Sequence, residues 1–164
     1  MKTNKINTAL RISAVILVMT MLLQFFGCSG GGETLSDPEE MYSFISENAA
    51  FPSMEDVDAE AVRDIYGIDL DKISRYVLRI SEDKSIADEV AIFETADPEY
   101  MSTLIRLLSS RLNMAARAAR DYSPEQYEII LKAEVVSRGR YVFFIVNSES
   151  ASLTRSLLNR IPGE

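Results

Sequence analysis

Two stretches, Glu89-Val90-Ala91-Ile92-Phe93-Glu94 and Tyr141-Val142-Phe143-Phe144-Ile145-Val146, are apolar at odd and even positions alike. A strand with one wet face alternates apolar and polar residues, so these runs call for strands that lie centrally or are covered on both sides. That demand constrains the fold more than any other feature of the chain. A single layer of helices cannot satisfy the second run. Either the N-terminal helices cover its other face or another molecule does.

The surrounding pattern supplies the helices. Ser36-Asp37-Pro38-Glu39 reads as a capping box with proline in the first turn, and Met41, Phe44 and Ile45 form an apolar stripe behind it to about Ala50. Phe51-Pro52-Ser53 breaks this helix. A second short helix is expected from Asp58 through Tyr66, with Gly67 placed to end it in a left-handed turn, and residues 70–74 add a helical turn. The period then becomes alternating, with Tyr76, Leu78 and Ile80 on one face of a strand and a polar connection at residues 82–88. Asp97-Pro98-Glu99 caps the longest helix, which reaches about Tyr122. Ser123-Pro124-Glu125-Gln126 reads as a second capping box, opening a short helix to about Lys132.

The closing section repeats the theme: strands at 133–137 and 141–146 around an Arg138-Gly139-Arg140 turn, then a helix over 148–160 with Leu153, Leu157, Leu158 and Ile161 in a stripe. Strand, strand, helix thus occurs twice, which hints at an internal repeat. The sequence predicts an α+β domain: a four-stranded antiparallel sheet built from two strand-strand-helix units, with additional N-terminal helices.

The only cysteine lies elsewhere, in Leu22-Leu23-Gln24-Phe25-Phe26-Gly27-Cys28-Ser29-Gly30. Lys2, Lys5 and Arg11 precede it with no acidic residue before Glu33, and residues 12–26 are mainly apolar. Fifteen residues of helix span roughly 22 Å, short of the ~30 Å hydrocarbon core, so the segment reads as a secretory signal. Its end resembles the lipobox of bacterial lipoproteins. Gly27 and Cys28 match, whereas Phe25 and Phe26 stand where the pattern usually has leucine and a small residue. The resemblance implies a signal peptide at residues 1–27, cleavage between Gly27 and Cys28, a lipidated Cys28 with a flexible tether over 28–34, and one domain at 35–162. It also implies export, with a lipid anchor on the outer face of the bacterial cytoplasmic membrane. Two acyl chains anchor stably where one is marginal. With one cysteine there is no partner for an intramolecular disulfide.

The full chain carries a net charge of −8; without residues 1–27, fourteen basic residues face twenty-five acidic ones, a net charge of −11. That balance argues against nucleic acid, whose binding rests on neutralising phosphates. The chain has no histidine. It therefore lacks the commonest general base, the usual zinc ligand and the imidazole of common Ser and Cys triads. No catalytic residue, metal ligand or cofactor is assigned from the sequence.

Ile65-Tyr66-Gly67-Ile68-Asp69, then Asp88 with the run from Glu89 to Phe93, then Tyr127 and the Tyr141-Val142-Phe143-Phe144 strand resemble a family of small bacterial lipoproteins defined only as a domain of unknown function, common among Gram-positive anaerobes. The likeness spans roughly residues 35–160. It implies lipid anchoring and an extracytoplasmic α+β domain, and brings no activity or site residues with it.

One pattern on the long helix suggests chemistry. At 100° per residue Arg106, Asn113, Arg117 and Arg120 share a face with Ser109 and Ser110 beside it, opposite Met101, Leu104, Leu108, Leu112, Ala115 and Ala119. Arg106, Arg117 and Arg120 are a candidate anion-binding face for wall-polymer phosphates or lipid headgroups; the ordinary alternative is a solvated face. Arg111 borders the apolar arc and is expected to cover the core or meet a carboxylate such as Glu94. Asp56, Asp58, Glu60, Asp69 and Asp71 read as caps and solvating charges rather than a calcium loop. Glu82-Asp83 and Asp88-Glu89 read as solvated hairpin carboxylates.

Three functional classes follow. The first is a non-catalytic binding or protein-interaction module, partnered by a protein or the cell wall and by the membrane through its lipid. The second is a carboxylate-dependent cell-wall enzyme, which requires two carboxylates in one cleft about 5 to 9.5 Å apart. The third is a structural subunit that dimerises through an uncovered sheet face.

Overall fold

A computed structural model describes residues 34–163. The leader, Gly27 and Cys28 lie outside the described residues. Within them the chain forms one antiparallel sheet flanked by helices on both sides.

The first helix, α1 (Pro38–Asn48), is capped by Asp37, whose Oδ1 accepts from the Glu39 N–H at 2.8 Å. Ser36, the expected cap, instead offers its carbonyl to Arg75 and to the Tyr141 hydroxyl. A short strand β1 (Met54–Asp56) precedes α2 (Ala59–Asp64), which Asp58 caps at the Ala61 N–H. Gly67 then turns the chain at φ 68°, a conformation that penalises any side chain. After a 3-10 turn (Leu70–Lys72) come β2 (Ile73–Ser81) and β3 (Glu89–Thr95). A second 3-10 turn (Pro98–Tyr100), capped by Asp97, leads into the 22-residue α3 (Met101–Tyr122). The chain closes with α4 (Pro124–Ile130), β4 (Val136–Arg138), β5 (Tyr141–Val146) and α5 (Ser150–Leu158). Ser123 makes no side-chain cap to α4, so the second expected capping box is not formed.

The sheet has five strands in the order β1-β2-β3-β5-β4, all neighbours antiparallel, where the sequence predicts four. The extra strand is β1, which pairs with the end of β2 through Met54–Ser81, Glu55–Ile80 and Asp56–Arg79. Three residues, two of them acidic, carry no periodicity to read. Backbone pairing to β2, with the Asp56–Arg79 ion pair beside it, makes them a strand. The two hairpins, β2–β3 and β4–β5, join through β3 and β5 at the centre. Gly139, at φ 55°, takes the first position of the two-residue β4–β5 turn, where glycine is favoured.

Every residue of β3 and β5 is buried. Alternate residues feed two cores. Ala91, Phe93, Val142, Phe144 and Val146 pack with Val62 and Tyr66 of the α2 region, with Leu104, Leu108 and Leu112 of α3, and with Ile130 of α4. Val90, Ile92, Phe143 and Ile145 pack with Met41 and Ile45 of α1 and with Leu153 and Leu157 of α5. The second face is therefore covered from within the chain, by the first and last helices together. The helices that end the two hairpin units lie on opposite faces of the sheet.

Candidate functional site

The polar chemistry of the core centres on the two carboxylates that bound the apolar run of β3. Glu89 shares a face with Ala91 and Phe93, beneath α3. Arg111 grips it bidentately, Nε donating to Oε1 at 3.1 Å and Nη2 to Oε2 at 2.7 Å. The Tyr66 hydroxyl donates to the same Oε1 at 2.8 Å, and the Arg111 guanidinium sits 5.2 Å from the Tyr66 ring centroid. Burial and the Glu89 charge push the Tyr66 hydroxyl far above its usual range, which keeps it a proton donor. Burial pulls Arg111 down, but Glu89 outweighs it, and the guanidinium stays charged.

Arg111 thus meets Glu89 and not Glu94. Five residues on, Glu94 falls on the opposite face, beside α1. There it accepts from Arg75 at 2.7 Å and Arg140 at 3.2 Å, and Arg75 continues to Asp37. Asp88 and Glu89 are buried, at 7% and 3% exposure, which corrects the expectation of solvated hairpin carboxylates. An apolar neighbourhood cannot hold a bare carboxylate, so each has its partner, and for Asp88 that is Asn147 Nδ2 at 2.7 Å. Glu82 and Asp83 do lie exposed.

Beside the Glu89 end a cleft of about 530 Å³ opens between the β2–β3 loop and the C-terminal half of α3. Ala115, Ala118 and Ala119 form one wall, Ile86 and Ala87 face them, and Asp88, Glu89 and Arg111 reach its lining. Gln126 Oε1 accepts from the Ala87 N–H at 2.9 Å and pins the loop to α4. Asp88 and Glu89 are the buried carboxylates here, and as strand neighbours they turn to opposite faces of the sheet. Glu89 is further closed off by its arginine. Sequence reasoning missed this arrangement, although two signals pointed to it: an acid at the edge of a run apolar on both faces, and an arginine bordering an apolar arc.

The outer flank of α3 carries the residues singled out from the sequence. Arg106, Arg117 and Arg120 are all exposed. Arg106 and Arg117 border one shallow hollow with Ser109, Ser110 and Asn113, and neither forms an ion pair among the described residues. Arg120 stands apart and pairs with Asp121 at 3.2 Å. Ser109 and Asn113 bond back to their own helix, donating to the carbonyls of Ile105 and Ser109. The acidic runs serve locally: Asp58 and Asp69 cap turns, and Asp56 pairs with Arg79 at 2.6 Å. Among the described residues no cluster of three or more acidic, cysteine or histidine side chains is placed to hold a metal ion. None of their helices is long and apolar enough to cross a membrane.

No curated protein and no solved structure matches the chain. Residues 47–147, which run from the end of α1 through β5 and so contain all five strands, match the family described as Domain of unknown function (DUF4358), and the chain belongs to that family.

Proposed function

We propose that the protein is an exported bacterial lipoprotein, held by Cys28 on the outer face of the cytoplasmic membrane, and that it acts there as a non-catalytic binding module. Its partner surface is the outer flank of α3, and its partner is an anionic polymer of the cell wall. One observation carries this reading. In a chain of net charge −8, α3 holds four arginines against a single aspartate, and two of those arginines stand exposed without a carboxylate partner among the described residues. Eleven residues of helix separate Arg106 from Arg117 by about 16 Å, a spacing that suits a chain of repeated charges better than one small ion. Leu35 and Ser36, where the tether joins the domain, bond to Arg160 and Tyr141 on the α1–α5 side of the sheet. α3 covers the other side of the sheet.

Two measurements test the proposal. Cys28→Ser releases the protein from membranes or leaves the precursor uncut; unchanged fractionation and unchanged intact mass contradict the anchor. The double substitution Arg106→Glu/Arg117→Glu abolishes retention on immobilised polyphosphate while the thermal midpoint stays put. Retention equal to that of the unsubstituted chain contradicts the binding surface.

A further inference from the structure

The two flanks of α3 differ in chemistry. Its outer flank is charged, whereas the flank facing the β2–β3 loop is small and apolar and forms the cleft wall. The volume of about 530 Å³ lies within the usual range for small-ligand sites, roughly 300–1,000 Å³.

The carboxylate of Glu89 is fully engaged. Both oxygens of Glu89 receive Arg111, and one also receives Tyr66. Asp88 turns to the opposite face and holds Asn147. Donors, in contrast, are left over. Arg111 gives Nε and Nη2 to Glu89, while its Nη1 makes no hydrogen bond among the described residues, and the side chain is 26% exposed. Gln126 receives the Ala87 N–H on its oxygen, which fixes the orientation of the amide and leaves Nε2 with no partner among the described residues. Lys84 is drawn off to Glu55.

We infer that this cleft binds a small apolar acid, its carboxylate received by Arg111 Nη1 and Gln126 Nε2 and its body lying against Ala115, Ala118 and Ala119. The same chemistry is offered by a free short-chain acid and by the C-terminal residue of a peptide. Glu89 neutralises the arginine in place, so recognition rests on oriented donors and not on net charge. Binding at this site is therefore nearly insensitive to salt, in contrast to the outer flank of α3. The inference stands apart from the proposed polyanion surface, and either can fail alone.

The test uses the full chain in detergent at high salt, titrated with acetyl-alanyl-alanine, with its C-terminal amide, and with propionate. The free acid protects against thermal unfolding and the amide does not. Protection by propionate equal to that by the peptide acid identifies a free acid as the source; stronger protection by the peptide acid identifies a peptide terminus. Gln126→Glu keeps the acceptor for Ala87 but replaces the free donor, and weakens binding about tenfold or more. Ala118→Trp, at an exposed position of the wall, fills the cleft and abolishes binding without loss of fold. Arg106→Glu/Arg117→Glu leaves it unchanged. Equal protection by acid and amide, no protection by either acid, or unimpaired binding by Ala118→Trp overturns the inference.

Discussion

Glu89 and Glu94 lie on one strand with equal side-chain burial, 5% exposed each, yet their surroundings differ. Glu89 is closed in by Arg111, itself 26% exposed, and by the buried Tyr66. Glu94 meets Arg75 and Arg140, which are 47% and 56% exposed and keep much of their hydration. The first set ties β3 to α3 and to Tyr66, two residues past α2; the second ties β3 to β2, to the β4–β5 turn and to the start of α1. An odd separation along a strand sends two like residues to opposite faces, and the covering layer then decides what each becomes. At one end this produces a largely buried ion pair beside a cleft, at the other a more exposed clasp near the start of α1.

The comparison breaks most sharply at Glu89. Glu89→Ala leaves Arg111 largely buried and uncompensated, and costs roughly 3–5 kcal/mol in denaturant unfolding. The double substitution Glu89→Leu/Arg111→Met removes both charges and recovers most of that loss, because a buried pair and a well-packed apolar pair are often nearly equivalent. A double variant as unstable as the single one would show that the pair is needed for more than neutrality. Glu94→Ala costs less, about 1–2 kcal/mol, since its arginines return to water. A cost equal to that at Glu89 would erase the distinction.

A smaller effect sharpens it. Asp88 is buried with the neutral Asn147 as its only side-chain partner among the described residues, and burial pushes its carboxyl above the ordinary aspartate range. The folded protein therefore holds this proton more tightly than the unfolded chain does. Stability contributed by the group grows as pH falls from the raised value toward the usual one, and is lost as pH rises through that window. Asp88→Asn keeps the contact with Asn147 and removes this slope from unfolding free energy plotted against pH. An unaltered slope would place the titration elsewhere.

Much of the fold is legible in the sequence where a residue leaves little choice. The doubly apolar runs identify β3 and β5, and Gly67 and Gly139 mark turns that need positive φ. The edge strand β1 is not legible, because Met54, Glu55 and Asp56 show no strand periodicity and their pairing with β2 and its arginine, Arg79, is not written in their own order. Nor does the sequence say which face each helix takes: the loops leading into α3 and α5 carry no sign of side, yet the two helices cover opposite layers. The partner of Arg111 was within reach from parity alone, since Glu89 shares a face with Ala91 and Phe93 while Glu94 faces away. The cleft was not, because it depends on how the β2–β3 loop rests against Gln126, a contact between residues 39 positions apart.

The central claim is that the outer flank of α3 binds an anionic polymer by charge. The most direct test is the salt dependence of polyphosphate binding by the unsubstituted chain and by Arg106→Gln/Arg117→Gln, whose fold stability should differ by no more than about 0.5 kcal/mol. The account predicts that log affinity falls linearly with log salt, and that the double substitution makes the slope shallower by about 1.5, close to one released counterion per arginine. Identical slopes for the two proteins, or binding indifferent to salt, would contradict it.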